Sequence, residues 1–386
     1  MGQLKNFVLD AMDGEKVTGM LFLDISKALD SINHKILLAK QEHIGLSARS
    51  LRWFKSYLAD RRQCVCTNGK MSETRTIDLG VPQGSILGPL LFNVYINSLS
   101  TAVTKSELIF YADDAVLVVA ASTSRELTDV LRHDFNEISN WYISNILTVN
   151  VKKTKSMLSG SKTMLLSFSN FTFSAGEDQV NRVSSFNYLG VVLDEKWKWK
   201  MHVNSLLQKL GHRLSVFNRI YHMLDEKSLT AYFNGLVLPH LDYADVVWGD
   251  QPGLTTQMKQ LQSFQNCIAK NISKGKMRSA EALTSLQWVP LHVRRFEHRC
   301  CLVQDAMKGE IPEHLDVFKS TMSQQHGYNT RNGYMPVISK PRTEWGKNKT
   351  YYKAITDWAS LPTELKKLMP KRIFKYKLKQ FLLDHF

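Results

Sequence analysis

The chain has 386 residues and carries 50 lysines and arginines against 35 acidic residues, which gives a net charge of +15. Its 44% hydrophobic content is ordinary for a globular protein, and its length suits two or three domains. A basic excess of this size suits a polyanionic partner such as nucleic acid, but on charge alone a merely basic soluble protein fits equally well.

The cysteine count indicates the cellular compartment, and the length of the apolar runs indicates whether the chain spans a membrane. Five cysteines, an odd number, without a secretory leader argue against a disulfide framework and predict a reducing compartment, the cytoplasm or the nucleus. No apolar run reaches the roughly 20 residues of a membrane span, so no membrane partner is expected.

The first predicted element is a buried strand over residues 18–23, which leads directly into Asp24. This places Asp24 at the carboxyl end of the strand, and residues 25–34 continue into a helical pattern. Further along, residues 80–89 form a turn-rich loop that opens an apolar helix over 90–99. Gly84 in this loop permits close approach of a ligand to the backbone, and a helix start offers amides to an anion.

The most informative segment is a predicted hairpin whose strands are residues 108–111 and 115–119, with Asp113 and Asp114 at its turn. Adjacent carboxylates repel each other unless water or a cation separates them. Together with Asp24 they supply the hard oxygen ligands that Mg²⁺ prefers. Two such ions about 3.5–4 Å apart support phosphoryl transfer, so the spacing predicts a two-metal nucleotidyl-transfer site.

The remaining elements predict an α+β sheet with helices on one side, followed by a helical region. The first part continues with a helix over 125–147 and strands over 155–158, 164–168 and 188–192. The second part has helices over 203–223, 227–238 and 255–272, a loop-like stretch over 327–349 and a basic amphipathic helix over 370–386.

Five blocks in this order resemble the polymerase motifs of a reverse transcriptase, the fifth resembling the primer grip. They are the segment around Asp24 and residues 80–89, 111–114, 147–155 and 186–194. Other segments resemble the non-LTR (LINE-type, jockey-like) retrotransposon enzymes in particular. These are residues 23–28 with 33–34, 238–244, 247–249, 286–291 and 358–362.

The resemblance implies the fold of a right-hand polymerase. It implies a palm with partial fingers over residues 1–200, a helical thumb over 201–290 and a basic, mostly helical C-terminal region over 291–386. Family members have a longer region before the first palm motif, and that region holds much of the fingers. The resemblance therefore implies an N-terminally truncated polymerase with the fingers largely missing.

The resemblance also implies a role for each site residue. Asp24, Asp113 and Asp114 are expected to hold the metal ions, and Lys153 to protonate or neutralise the leaving pyrophosphate. The residues expected at the incoming nucleotide are Ile25, Leu29, Gln83 and Gly84. Those expected to brace the primer end are Tyr188, Leu189 and Gly190. The family usually has Phe where this chain has Leu29, as a steric gate against a ribose 2′-hydroxyl.

The resulting prediction is an RNA-directed DNA polymerase of a retrotransposon, with Mg²⁺ or alternatively Mn²⁺ as cofactor. Its expected partners are an RNA template, a DNA primer or target and deoxynucleoside triphosphates, and endonuclease activity is expected on another segment or chain. The alternative is a truncated, catalytically silent copy that only binds nucleic acid. An intron-type maturase fits the post-thumb motifs less well, and an RNA-dependent RNA polymerase fits the palm motifs less well.

Overall fold

The computed structural model describes residues 1–311, 340–367 and 369–385. The chain divides into two compact units. We call Lys16–Ser184 the sheet unit, and Met1–Glu15 together with Ser185–Phe386 the helical unit. Among the described helices, none combines the length and the apolar character of a membrane span.

The described strands are short except for those at the centre of the main sheet. They are β1 Val17–Leu23, β2 Arg62–Gln63, β3 Cys66–Thr67, β4 Lys70–Met71, β5 Arg75–Thr76, β6 Glu107–Tyr111, β7 Asp114–Ala121, β8 Lys155–Ser159, β9 Phe173–Ala175, β10 Asp178–Arg182, β11 Ser185–Tyr188 and β12 Val191–Asp194.

The described helices are distributed over both units. They are α1 Gly2–Asp13, α2 His34–His43, α3 Ala48–Leu58, α4 Leu87–Ile96, α5 Ser124–Ser144, α6 Lys162–Ser167, α7 Lys200–Ile220, α8 Glu226–Tyr232, α9 Leu238–Asp242, α10 Asp245–Trp248, α11 Thr255–Ile272, α12 Ser279–Ser285, α13 Leu291–Met307, α14 Glu344–Lys347, α15 Thr350–Ser360 and α16 Lys371–His385. Short 3₁₀ segments cover Ala28–Asp30 and Asn97–Ala102, and a π-helical segment covers Phe233–Val237.

The sheet unit is built on six strands in the order β6-β7-β1-β8-β10-β9. β1 pairs antiparallel with β7 on one side and with β8 on the other. All seven residues of β1 are buried, which explains its largely apolar sequence. Helix α5 packs on β1 and β7. The strand that leads into Asp24 is therefore held on both edges.

The helical unit contains α1 as well as the helices after residue 200. Lys5 of α1 is fully buried, and its Nζ donates to the Val247 carbonyl at 2.7 Å. Burial lowers the pKa of Lys5 well below its usual value, and the nearby Lys353 and Arg299 charges lower it further. Arg299 of α13 binds Asp357 of α15 at 2.5 Å. Polar contacts thus tie distant parts of this unit together.

Several element predictions are confirmed and two are wrong. The strands at 18–23 and 155–158, the hairpin around Asp113 and the helix over 255–272 are observed. The predicted strand over 164–168 is instead part of helix α6, because the Ser161 side chain caps the Met164 amide and starts a helix.

The second error is the predicted single strand over 188–192. It is broken into the hairpin β11–β12, with Leu189 and Gly190 at the turn. In the C-terminal region, the predicted helix over 370–386 is observed as α16. The loop-like stretch contains α14, and its residues 327–339 lie outside the described residues.

Candidate active site

The strand register brings the predicted carboxylates to one end of the sheet. Leu23 of β1 is paired with Ala115 of β7. Asp24 directly follows Leu23 and Asp114 directly precedes Ala115, so both acids lie at the same end of these adjacent strands. Tyr111 is paired with Asp114, which leaves Ala112 and Asp113 as the two-residue turn. Ala112 has a φ of 52°. A tight turn thus places Asp113 at the same end of the sheet as Asp24.

The segment after α5 completes this end of the sheet. The Asn150 amide donates to the Asp24 carbonyl at 2.8 Å, and the Ser26 amide donates to the Thr148 carbonyl at 2.9 Å. The turn that follows is closed by the Lys153 amide, which donates to the Asn150 carbonyl at 3.1 Å. As a result, Lys153 Nζ lies 3.9 Å from Asp24 Oδ2. The structure therefore brings all four predicted catalytic side chains to one end of the sheet.

The electrostatics of this cluster suit a cation. Burial raises the pKa of the Asp114 carboxyl, and the neighbouring Asp113 and Asp24 carboxylates raise it further. Asp24 Oδ2 is buried and accepts no hydrogen bond, although the Lys153 ammonium is near. A buried oxygen without a donor and a group of mutually repelling carboxylates match the oxygen ligands of a divalent metal ion.

The residues predicted to border the nucleotide are held together by backbone contacts. The Val81 amide donates to the Leu29 carbonyl at 3.0 Å, and the Gly80 amide donates to the Ile32 carbonyl at 2.7 Å. Gly80 has a φ of 82°, and a Cβ at this position would lie 2.8 Å from Asp30 Cα. Only glycine allows this approach, so the loop is fixed against the Ala28–Asp30 turn.

Two side chains to which the sequence analysis gave no role, Asp30 and His34, reinforce this contact. The Gln83 amide donates to the Asp30 carboxylate at 2.7 Å, and His34 Nε2 donates to the Gly80 carbonyl at 2.8 Å. His34 belongs to a motif that carries the family resemblance, but that motif gives it no role. Asp30 has no distinguishing sequence signal, because its partner lies 53 positions away.

The other predicted nucleotide-side residues differ in exposure. Ile25 is buried in the core of the sheet unit and pairs with Val149 through an isolated bridge. Leu29 is half-buried and packs against the same core. Gly84 is exposed, and nothing lies within 4 Å of the position of its missing Cβ. The loop therefore presents open backbone at Gly84.

The three predicted primer-contacting residues lie in the helical unit, at the β11–β12 hairpin. Tyr188 is buried, and its partner Val191 leaves Leu189 and Gly190 as a two-residue turn. Both turn residues have positive φ, 48° and 75°, the geometry of a type I′ turn. The Tyr243 hydroxyl donates to the Leu189 carbonyl at 2.7 Å and so fixes the tip.

The loop before the acidic hairpin is anchored by a buried carboxylate on α5. Asp134 accepts hydrogen bonds from the amides of Thr104, Lys105 and Ser106, at 3.3, 3.0 and 2.6 Å. The Ser106 hydroxyl and His133 Nδ1 also contact it. Although burial opposes ionisation, these hydrogen bonds lower the pKa of Asp134 to about 2. Strand β6 begins one residue later, so Asp134 sets the start of the hairpin that carries Asp113.

We expect Asp134→Asn to lower the free energy of unfolding by about 2–3 kcal/mol at pH 7, because an amide accepts fewer of these bonds. The folded-state pKa lies below the ordinary value of 3.8, so the stabilisation is complete above about pH 4 and is lost toward pH 2. Urea unfolding at several pH values measures this difference. A gap between wild type and variant that stayed constant from pH 7 to pH 2 would contradict the assignment.

Another acidic cluster lies in the helical unit. Among the described residues, the side chains of Asp242, Asp245 and His298 place ligand atoms within 4.8 Å of one another. However, Arg294 binds both Asp242 oxygens, at 2.5 and 2.6 Å, and His298 binds Asp245 at 2.7 Å. The acids already have cationic or hydrogen-bonding partners, so this cluster is an ion-paired link between helices.

Comparison with known proteins agrees with the geometry of the sheet unit. Residues 4–193 match the family of reverse transcriptases (RNA-dependent DNA polymerases), and this range includes Asp24, Asp113, Asp114 and Lys153. Residues 4–193 of the chain therefore form a reverse transcriptase domain.

Its relatives are polymerases of non-LTR retrotransposons. Over 69% of its length the chain is 26% identical to the RNA-directed DNA polymerase from mobile element jockey of Drosophila funebris, covering 30% of that protein. It is also 26% identical to the probable RNA-directed DNA polymerase from transposon X-element of Drosophila melanogaster, over 69% of the chain and 29% of that protein. A similar enzyme from transposon BS matches 85% of the chain at 25% identity. The chain spans about a third of the length of these relatives.

Proposed function

We propose that this chain is an RNA-directed DNA polymerase that extends a primer 3′-hydroxyl on an RNA template. The observation that carries the proposal is the meeting of Asp24, Asp113 and Asp114 at the end of paired strands β1 and β7, with an unsatisfied buried oxygen on Asp24. Because this arrangement occurs inside a reverse transcriptase domain, nucleotidyl transfer is the reaction that it fits best.

We propose that the three carboxylates hold Mg²⁺. When bound, such ions lower the pKa of the attacking hydroxyl and neutralise the phosphate oxygens. The protein contributes the ligand positions, which the β1–β7 register and the two-residue turn fix in advance. Mn²⁺ takes the same oxygen ligands and is expected to substitute for Mg²⁺.

Lys153 is proposed to act on the pyrophosphate leaving group. Its ammonium reaches Asp24 Oδ2 at 3.9 Å, so it lies beside the proposed metal site, and its side chain is 71% exposed. A flexible, exposed ammonium is suited to donate a proton or to neutralise charge as the pyrophosphate leaves.

The nucleotide is proposed to bind between the acidic end of the sheet and the loop at residues 80–84. Backbone hydrogen bonds hold Leu29 and Val81 together, and Gln83 is oriented by Asp30. Leu29 is proposed to meet the sugar, while Gln83 and Gly84 border the base. The β11–β12 hairpin is proposed to contact the primer through Tyr188 at the end of β11 and Leu189 and Gly190 at the turn.

We expect Leu29→Phe to lower incorporation of ribonucleotides relative to deoxyribonucleotides by about tenfold, a difference of about 1.4 kcal/mol. A larger ring at this position leaves less room for a 2′-hydroxyl. Single-nucleotide extension with each substrate gives the two values of kcat/KM. An unchanged ratio would show that Leu29 does not contact the sugar.

The test of the proposed function is extension of a DNA primer on an RNA template, with Mg²⁺ and with Mn²⁺. Template-dependent extension supports the proposal. Tight binding of the RNA–DNA hybrid without extension would instead support a silent copy that only binds nucleic acid, which the net charge of +15 also permits.

A further inference from the structure

A cleft of about 910 Å³ opens in the sheet unit beside the loop that ends at Gln83. The hairpin formed by β2 and β5 provides one wall, and the turn that precedes Ala28–Asp30 provides another. Three cationic side chains line it, namely Lys27, Arg61 and Arg75. The reverse transcriptase motifs assign none of these residues a role.

The pairing of β2 with β5 explains why these arginines share the cleft. Gln63 is paired with Arg75, and the Ile77 amide donates to the Arg61 carbonyl at 2.9 Å. Side chains alternate between the two faces of a strand, so Arg61, Gln63 and Arg75 lie on one face. Arg62 lies next to Arg61 in sequence but does not line the cleft.

The charge balance leaves the two arginines available for an anion. Residues 61–77 contain four basic side chains and one acidic side chain, Glu73. Within the described chain, neither Arg61 nor Arg75 forms an ion pair, and the Arg61 guanidinium lies 5.9 Å from the Tyr57 ring.

Two acids also line the cleft, Asp30 and Asp78. Asp30 already accepts the Gln83 amide at 2.7 Å, and Asp78 is exposed to solvent. The lining therefore carries three cations against two acids, and its guanidinium groups are not neutralised by ion pairs within the described chain.

We propose that this cleft binds phosphate groups of the polymerase substrates through Arg61 and Arg75. The planar guanidinium fork matches two phosphate oxygens at once, which favours phosphate over other anions. The phosphates come either from the incoming triphosphate or from the backbone of the template strand. This inference rests on the proposed function, because Gln83 at the edge of the cleft is proposed to border the nucleotide.

The test compares the double variant Arg61→Ala/Arg75→Ala and its two single variants with Arg62→Ala. Like each single variant, Arg62→Ala removes one positive charge, but from a side chain that does not line the cleft. We measure KM for dTTP in primer extension and Kd for an RNA–DNA hybrid at two salt concentrations. The double variant is expected to raise either the KM for dTTP or the Kd for the hybrid by about tenfold. The variant Arg62→Ala is expected to change neither value.

The two measurements distinguish the source of the phosphate. A raised KM for dTTP with unchanged hybrid binding assigns the cleft to the triphosphate. Weaker hybrid binding assigns the cleft to the template backbone if the slope of log binding constant against log salt concentration also falls by about one per lost contact. The double variant Arg61→Lys/Arg75→Lys keeps the charge and is expected to recover part of the loss.

Equal behaviour of the double variant and Arg62→Ala in both measurements would overturn the inference. If the wild-type protein binds the hybrid but does not extend the primer, the proposed function fails instead. The Kd for the hybrid then tests by itself whether the cleft binds phosphate. Equal Kd values for the double variant and Arg62→Ala would overturn that inference. Circular dichroism of each variant confirms that it is folded before it is compared.

Discussion

Replacing Asp113 with alanine is expected to abolish primer extension while the protein stays folded. Asp113 is exposed in the turn between β6 and β7, so its side chain contributes little to packing. It is nevertheless proposed as a metal ligand, and loss of residues that merely support such ligands already costs about 10–100-fold. We therefore expect the rate to fall by more than about a hundredfold.

Stability separates a chemical role for Asp113 from a structural one. The Asp113 carboxylate raises the pKa of Asp114, so its removal relieves repulsion and is not expected to lower the melting temperature of the metal-free protein. The matched control is Asp129→Ala, an exposed acid on α5 that pairs with Arg125 at 3.9 Å. Extension by the Asp113 variant at the wild-type rate would refute the site.

Removing Lys153 is expected to have the next largest effect. We expect Lys153→Ala to lower kcat by about 10²-fold or more with little change in KM, because a general acid acts on the transition state. Single-turnover extension measures the chemical step directly. The variant Lys153→Arg keeps the positive charge but holds its proton too tightly to release it.

Comparison of these two variants defines what Lys153 does. If Lys153→Arg remains as slow as Lys153→Ala, the side chain transfers a proton; if it recovers the rate, the side chain acts by its charge. Lys152→Ala is the matched control, since Lys152 is exposed in the same turn. A Lys153→Ala variant with the kcat of the control would exclude both roles.

The acidic end of the sheet is predictable from the sequence because its signals are local. Apolar, β-prone runs on both sides of Asp113 and Asp114 predict the hairpin, and the apolar run before Asp24 predicts a buried strand. The register that joins them follows from the observed pairing of Leu23 with Ala115, which a sequence pattern does not specify.

The supports of the site are not predictable in this way, because their partners are distant in sequence. Gly80 appears in a turn-rich loop, but its need to be glycine comes from contact with Asp30, 50 positions earlier. Asp134 reads as one acid on a helix, yet it holds a loop about 30 positions away. The short apolar run at 164–168 fits a strand or a helix equally well. The Ser161 side chain, which caps the Met164 amide, favours the helix.

The burial of Lys5 has a consequence for the order in which the protein folds. Lys5 contacts Val247, 242 residues later, whereas the sheet unit is one continuous stretch, Lys16–Ser184. During synthesis the sheet unit is complete well before the helical unit, and domains generally fold as they emerge. Helix α1 is made before the sheet unit but packs after it, so the sheet assembles while α1 still lacks its partners.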